Sequence, residues 1–198
     1  MVLYPDVLAR AQQEIDSVIG KDTLPQFSDR PLLPYLEAVV LESLRWNPVT
    51  PLAVPHRNLE EDVYEGYRIP ASSTIIANAW AVLHDADNFP EPARFNPGRF
   101  YQKAKADMLI DPNDFAFGFG RRVCPGRHLA INSAWISIAT ILATFSITKA
   151  KDAMGREIEP TGEYSSGLVS HPLPFLCDIR PRTDGYRNLI QSLSDAVV

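Results

Sequence analysis

Apolar residues at Val7, Leu8, Ala11, Ile15, Val18 and Ile19 recur at close to helical spacing, with Pro5 ahead of them and Gly20 behind. That pattern predicts a first helix with a proline start and a glycine stop. A second helix is predicted from Leu36 to Trp46, bounded by Pro34 and Pro48. Between Val54 and Ala77 the period shortens to β-rich pieces: Val63-Tyr64, a turn at Glu65-Gly66, Tyr67 to Ile69, and Thr74 to Ala77. These predict a small antiparallel sheet. Asn78 is placed to cap a short helix through Val82, and His84 to Phe100 reads as irregular chain anchored by Phe89, Arg94, Phe95 and Arg99.

Leu129 to Ile147 is a run of 19 residues without charge, long enough by count to span a membrane. It also holds Asn132, Ser133, Ser137, Thr140, Thr144 and Ser146, so a buried helix is the expectation. Tyr164 to Arg182 predicts a hairpin turning near Ser166-Gly167 with a strand at Cys177 to Ile179, and residues 183–198 are expected to be a loosely ordered tail. The fold class is therefore mainly α (α+β), helices with a small antiparallel sheet in one domain over residues 1–182.

Composition narrows the function classes. Nineteen Lys and Arg against 24 Asp and Glu leave a net charge of −5, which gives no general attraction to nucleic acid or anionic lipid. Seventeen prolines, eleven of them before residue 100, predict a turn-rich first half with its helices cut short. Two cysteines, Cys124 and Cys177, do not suggest a disulfide scaffold. Neither a signal peptide nor a membrane anchor is expected in this sequence.

The strongest chemical signal is Phe117-Gly118-Phe119-Gly120-Arg121-Arg122-Val123-Cys124-Pro125-Gly126, a glycine-rich loop that carries a cysteine into the start of a helix. Helix starts and bound metals both favour the anionic form of a thiol, which makes such a sulfur a natural metal ligand. Gly120 and Gly126 let the backbone approach a flat cofactor, Phe117 has the shape to pack beside its ring, and Arg122 the reach for an anionic edge group. For a cysteine alone the alternative is an inert packing thiol, and Cys177 is read that way. The histidines lack metal-ligand spacing.

The loop resembles the haem-thiolate signature of cytochromes P450, Phe-x-x-Gly-x-Arg-x-Cys-x-Gly, with Phe117, Gly120, Arg122, Cys124 and Gly126 at its fixed positions. Glu42-Ser43-Leu44-Arg45 resembles the family's Glu-x-x-Arg helix, and Pro92 to Phe100 resembles its Pro-x-x-Phe-x-Pro-x-Arg-Phe segment. In isolation an i, i+3 pair is a weak surface contact. The resemblance instead implies a Glu42, Arg45 and Arg99 network, structural in role, that holds the cysteine loop.

The resemblance further implies a haem b cofactor with Cys124 as axial ligand of the iron, and His56 beside a haem propionate. Thr50, Leu52 and Ala53, with Leu168 and Val169, would line the substrate side. It implies monooxygenation of a lipophilic small molecule with O2, and electrons from a reductase docking near Arg121 and Arg127. Full-length relatives usually sit at the endoplasmic-reticulum membrane. The likeness matches the C-terminal two-fifths or so of a typical member. The distal oxygen-activating helix with its acid-Thr pair is not in this sequence, so no catalytic residue is assigned. The alternative is a truncated, catalytically silent fragment serving as a haem-binding or interaction module.

Overall fold

The computed structural model describes residues 1–101 and 110–195. Helix α1 (Pro5–Val18) buries Val7, Leu8, Ala11 and Ile15, the stripe its sequence period sets out. Helix α2 (Pro34–Trp46) starts at a proline, where the missing N–H costs nothing. Two further amide donors at its start are satisfied from α1: Tyr35 and Leu36 each donate to the Glu14 carboxylate, at 2.8 and 2.9 Å. A carboxylate at a helix N-terminus also opposes the helix dipole favourably, so one side chain both caps α2 and ties it to α1.

Four short strands follow, β1 (His56–Arg57), β2 (Asp62–Tyr64), β3 (Tyr67–Ile69) and β4 (Thr74–Ile75). They form two separate antiparallel ribbons, β1 with β4 and β2 with β3, where one sheet was expected. The β2–β3 turn places Glu65 and Gly66 both at positive φ, 49° and 84°. That is the primed turn whose twist suits a two-residue hairpin. Helix α3 (Ala79–Leu83) is capped by the Asn78 side chain, which accepts from the Ala81 amide at 3.0 Å.

Helix α4 (Asn113–Ala116) leads into the cysteine loop, and α5 (Arg127–Thr144) emerges from it. The helix stops at Thr144 because Phe145–Lys149 turns into strand β5, which pairs antiparallel with β6 (Cys177–Pro181), Phe145 opposite Pro181. The expected partner within a 164–182 hairpin was therefore wrong for this strand. Around Tyr164 and Pro172 the chain does fold back on itself, held by that bridge and by Ser165 donating to the His171 carbonyl at 2.8 Å. Residues 184–195, expected to be a loose tail, form helix α6 (Asp184–Asp195), with Tyr186 fully buried. The final residues 196–198 of that tail lie outside the described set. Arg182 secures the join, pairing with Asp16 of α1 and donating to the Ala143 carbonyl at 2.9 Å.

The core is built by α1, α2 and α5, with Ile15, Leu36, Val39, Trp135, Ala139 and Leu142 fully or almost fully buried. A smaller cluster of Ala38, Leu41, Leu83, Phe89 and Phe100 joins α2 to the chain after α3. Among the described residues, no helix is long and apolar enough to cross a membrane. Trp135 and Ala139 in the uncharged helix are instead packed in the protein interior.

Candidate functional site

Helix α2 carries chemistry on two opposite faces. At about 100° per residue, Glu42 and Arg45 share one side, while Ser43, Leu44 and Asn47 fall on the other. The first side is closed to water: Glu42 and Arg45 are both 0% exposed. Arg45 donates to Glu42 through Nε at 2.7 Å and Nη2 at 2.9 Å, a two-pronged contact. Its remaining donors go to the carbonyls of Leu83, Pro92 and Arg94. The same carboxylate accepts from the Asn96 amide at 2.7 Å and from Arg99 Nε at 3.2 Å. Arg99 also reaches the carbonyls of Pro90, Glu91 and Arg94.

Such burial of charge is tolerable only because these donors and acceptors are met. The result clamps the irregular segment 90–99 onto α2, and Trp46 adds a bond from its indole N–H to the Ala93 carbonyl at 2.7 Å. Beside the clamp, burial holds His84 below the ordinary histidine range, helped by the Arg45 charge. His84 also stacks on Trp80 with ring centres 4.3 Å apart.

The second side of α2 faces a cavity of about 460 Å³. Cys124, Phe117 and Arg122 border it from the glycine loop, and Thr50, Ala53 and His56 from the chain after α2. Six of the residues singled out from sequence thus converge on one space. Leu52, Leu168 and Val169 do not line it and are 47%, 55% and 40% exposed. Gly120 and Gly126 flank the sulfur within the loop rather than lining the cavity. Sequence reasoning missed Ser43, Asn47 and Ala116 as lining residues. The i, i+4 spacing of Ser43 and Asn47, off the Glu42 face, was the available signal.

The loop is built to show its thiol. Cys124 donates its amide to the Phe117 carbonyl at 2.8 Å, closing the loop at its base. Val123 bonds back to Gly120 at 3.2 Å, and Gly120 takes φ 57°, a left-handed conformation that suits glycine. Arg127 then donates to the Cys124 carbonyl at 3.3 Å as α5 begins. Cys124 is exposed and free, and Cys177 is a half-buried free thiol.

Gly126 has an ordinary φ of −85°, and a Cβ there would meet the Cys124 sulfur at 3.8 Å, a normal contact. Among the described residues, no other atom beyond the chain neighbours lies within 4 Å of that position. A small residue here keeps open the space beside an exposed sulfur at the cavity's edge, as a flat group seated on that sulfur requires. Arg121 and Arg127 are exposed on the outside of the loop, Arg127 next to His128.

The model of the family described as "Cytochrome P450" matches residues 1–178. This chain belongs to the cytochrome P450 family. Cytochrome P450 monooxygenase claR of Ampulloclitocybe clavipes is 48% identical over 195 residues, covering 98% of this chain and 36% of that protein. Cytochrome P450 monooxygenase 98 of Postia placenta is 48% identical over 198 residues, 98% of this chain and 38% of the relative. A zebra fish cytochrome P450 solved with abiraterone superposes with TM-score 0.75 at 32% identity, over 91% of this chain and 41% of that one. The P450 chain described here therefore spans about two-fifths of the length of these relatives. Membership brings an oxidoreductase family and a haem cofactor, and the residues around the P450 cavity suit one: a thiol at its edge, an aromatic wall at Phe117, and the basic side chains of Arg122 and His56.

Proposed function

We propose that this chain is the thiolate-bearing part of a P450 monooxygenase acting on a lipophilic small molecule, with Cys124 as the axial ligand of haem b. The observation that carries the reading is the meeting of Cys124, Phe117, Arg122 and His56 around one cavity. When bound, haem ligated by thiolate supplies electron density that favours O–O cleavage. The protein's own part is positional. The closed loop presents the sulfur, Phe117 covers the ring, and Arg122 and His56 neutralise carboxylates at its edge. Thr50 and Ala53, with Val49 and Val54, shape the apolar substrate side of the cavity. Glu42, Arg45 and Arg99 keep the scaffold behind α2 in register. Arg121 and Arg127 form the basic approach for an acidic face of an electron-donating reductase.

A second reading, a haem-binding or interaction module without turnover, draws on one observation: Val54 at the cavity exposes 64% of its surface, and Leu129 and Leu168 elsewhere expose 74% and 55%. The two are separated by loading the chain with haem, reducing it under carbon monoxide and adding a reductase with apolar substrates. A red-shifted carbonyl band with NADPH-dependent product supports the enzyme. The band without product supports the haem-binding module, and no band in any preparation contradicts every haem-binding reading and leaves the interaction module.

A further inference from the structure

The end of α2 grips the fold-back segment 163–173 at two separate points. Near the base of that segment, Tyr164 meets Trp46, ring centres 6.0 Å apart and nearly perpendicular. Nearer its tip, the Ser170 amide donates to the Val49 carbonyl at 2.7 Å, and the Asn47 side-chain amide donates to Ser170 Oγ at 3.3 Å. The segment is otherwise closed on itself: His171 donates to Ser165 Oγ at 3.0 Å and Leu173 to the Glu163 carbonyl at 2.9 Å. Its tip, Ser166 to Val169, extends beyond those rungs, with Gly167 at φ 130° and Leu168 and Val169 exposed.

Asn47 and Val49 border the cavity that holds Cys124. Among the described residues, the hydrogen bonds that tie this end of the segment to the cavity wall run through Ser170, one residue away from Val169. We infer that Asn47 and Ser170 are positioning residues: their clasp fixes the 166–169 tip at the rim of the cavity and sets the length of apolar molecule the cavity accepts. Neither side chain takes part in chemistry. A clasp of one side-chain bond and one backbone bond is strong enough to place a loop and weak enough to yield to a larger occupant. This inference rests on the proposed use of the cavity, and its test is arranged to fail separately from that proposal.

The test uses the full chain supplied with haem, in the wild type and in Asn47→Ala, Ser170→Ala, Ser170→Thr and the double alanine variant. Hydrogen exchange is followed at the amides of residues 168–171 and of α2, and calorimetry measures binding of alkylbenzenes of increasing chain length. Expected are at least fivefold faster exchange in both alanine variants at 168–171 but not in α2, with no further gain in the double variant. The affinity ratio between short and long alkylbenzenes should shift at least fivefold in the same variants, and Ser170→Thr should restore both readouts. Unchanged exchange overturns the clasp. Faster exchange with an unchanged length preference, or no alkylbenzene binding by the wild type, overturns its role as a rim. If Asn47→Ala unfolds, Ser170→Ala decides, since it removes only one hydroxyl. Loss of the carbonyl band in the wild type contradicts the haem proposal and leaves these readouts standing.

Discussion

The two sides of α2 solve opposite problems. On one, Glu42 and Arg45 are sealed from water and bonded to each other, to Arg99 and to a row of carbonyls. On the other, Cys124 stands exposed at a cavity, held by a glycine loop whose bonds run through backbone. A buried charge is costly wherever a partner is missing, so the first side tolerates little change. The Cys124 sulfur is reachable at the cavity's border, so the second side has access where the first has packing. Rigidity and chemistry are thus divided between faces of one helix, the locked face supporting the open one.

The largest effect should come from breaking the locked face. Glu42→Ala leaves two guanidinium groups without their carboxylate and should cost about 3–5 kcal/mol in a urea titration, enough to unfold a marginal chain. A loss under about 1 kcal/mol would mean that water reaches Arg45 and that the two faces do not differ in kind. Arg99→Ala sharpens the contrast, because Arg99 is 10% exposed and gives the carboxylate one bond at 3.2 Å where Arg45 gives two. It should cost about 1–3 kcal/mol, less than Glu42→Ala in the same assay.

Cys124→Ser should change stability by no more than about 0.5 kcal/mol, as for surface positions away from buried networks. A loss comparable to that of Arg99→Ala would show that the sulfur is a packing element.

The smallest effect is a pH dependence. Burial and the Arg45 charge lower the His84 pKa in the folded state, so the unfolded chain binds the extra proton first. Stability should therefore be full above the unfolded value of about 6.5 and decline as pH falls from there toward the folded value. His84→Gln should flatten that part of the stability profile. An identical slope in the variant would place the titrating group elsewhere.

Much of this division was legible in the sequence where local rules govern. Pro5, Pro34, Asn78 and the Glu65-Gly66 turn marked their elements because each acts through its own backbone. The glycine loop and the Glu42, Arg45 and Arg99 set were legible as family motifs; the Glu42–Arg45 bond follows from the i, i+3 spacing, whereas the Arg99 bond joins residues 57 apart and was legible through the motif alone. What escaped depended on distant partners. Strand β6 pairs with β5 across some 30 residues rather than with its neighbour. Helix α6 was read as a tail although Tyr186, Leu189, Ile190 and Leu193 repeat at i, i+3, i+4 and i+7. Its mean polarity hid a stripe whose Tyr186 joins the buried cluster that holds Leu8, Ala11 and Ile15 of α1, with its hydroxyl donating to the Thr23 carbonyl at 3.4 Å. The resemblance places Leu168 and Val169 at the substrate side, yet they do not line the cavity, and among the described residues the bonds that hold them near its border run through Ser170.

The most direct test of the central claim, that the open face exists to deliver the Cys124 sulfur to iron, is the absorption of the ferrous carbonyl form of the haem-loaded chain, compared with Cys124→Ser. Expected is a Soret band strongly shifted to the red in the wild type and absent in the variant, with the fold of both intact by circular dichroism. The same band in both proteins would mean that another group holds the iron, and would contradict the account.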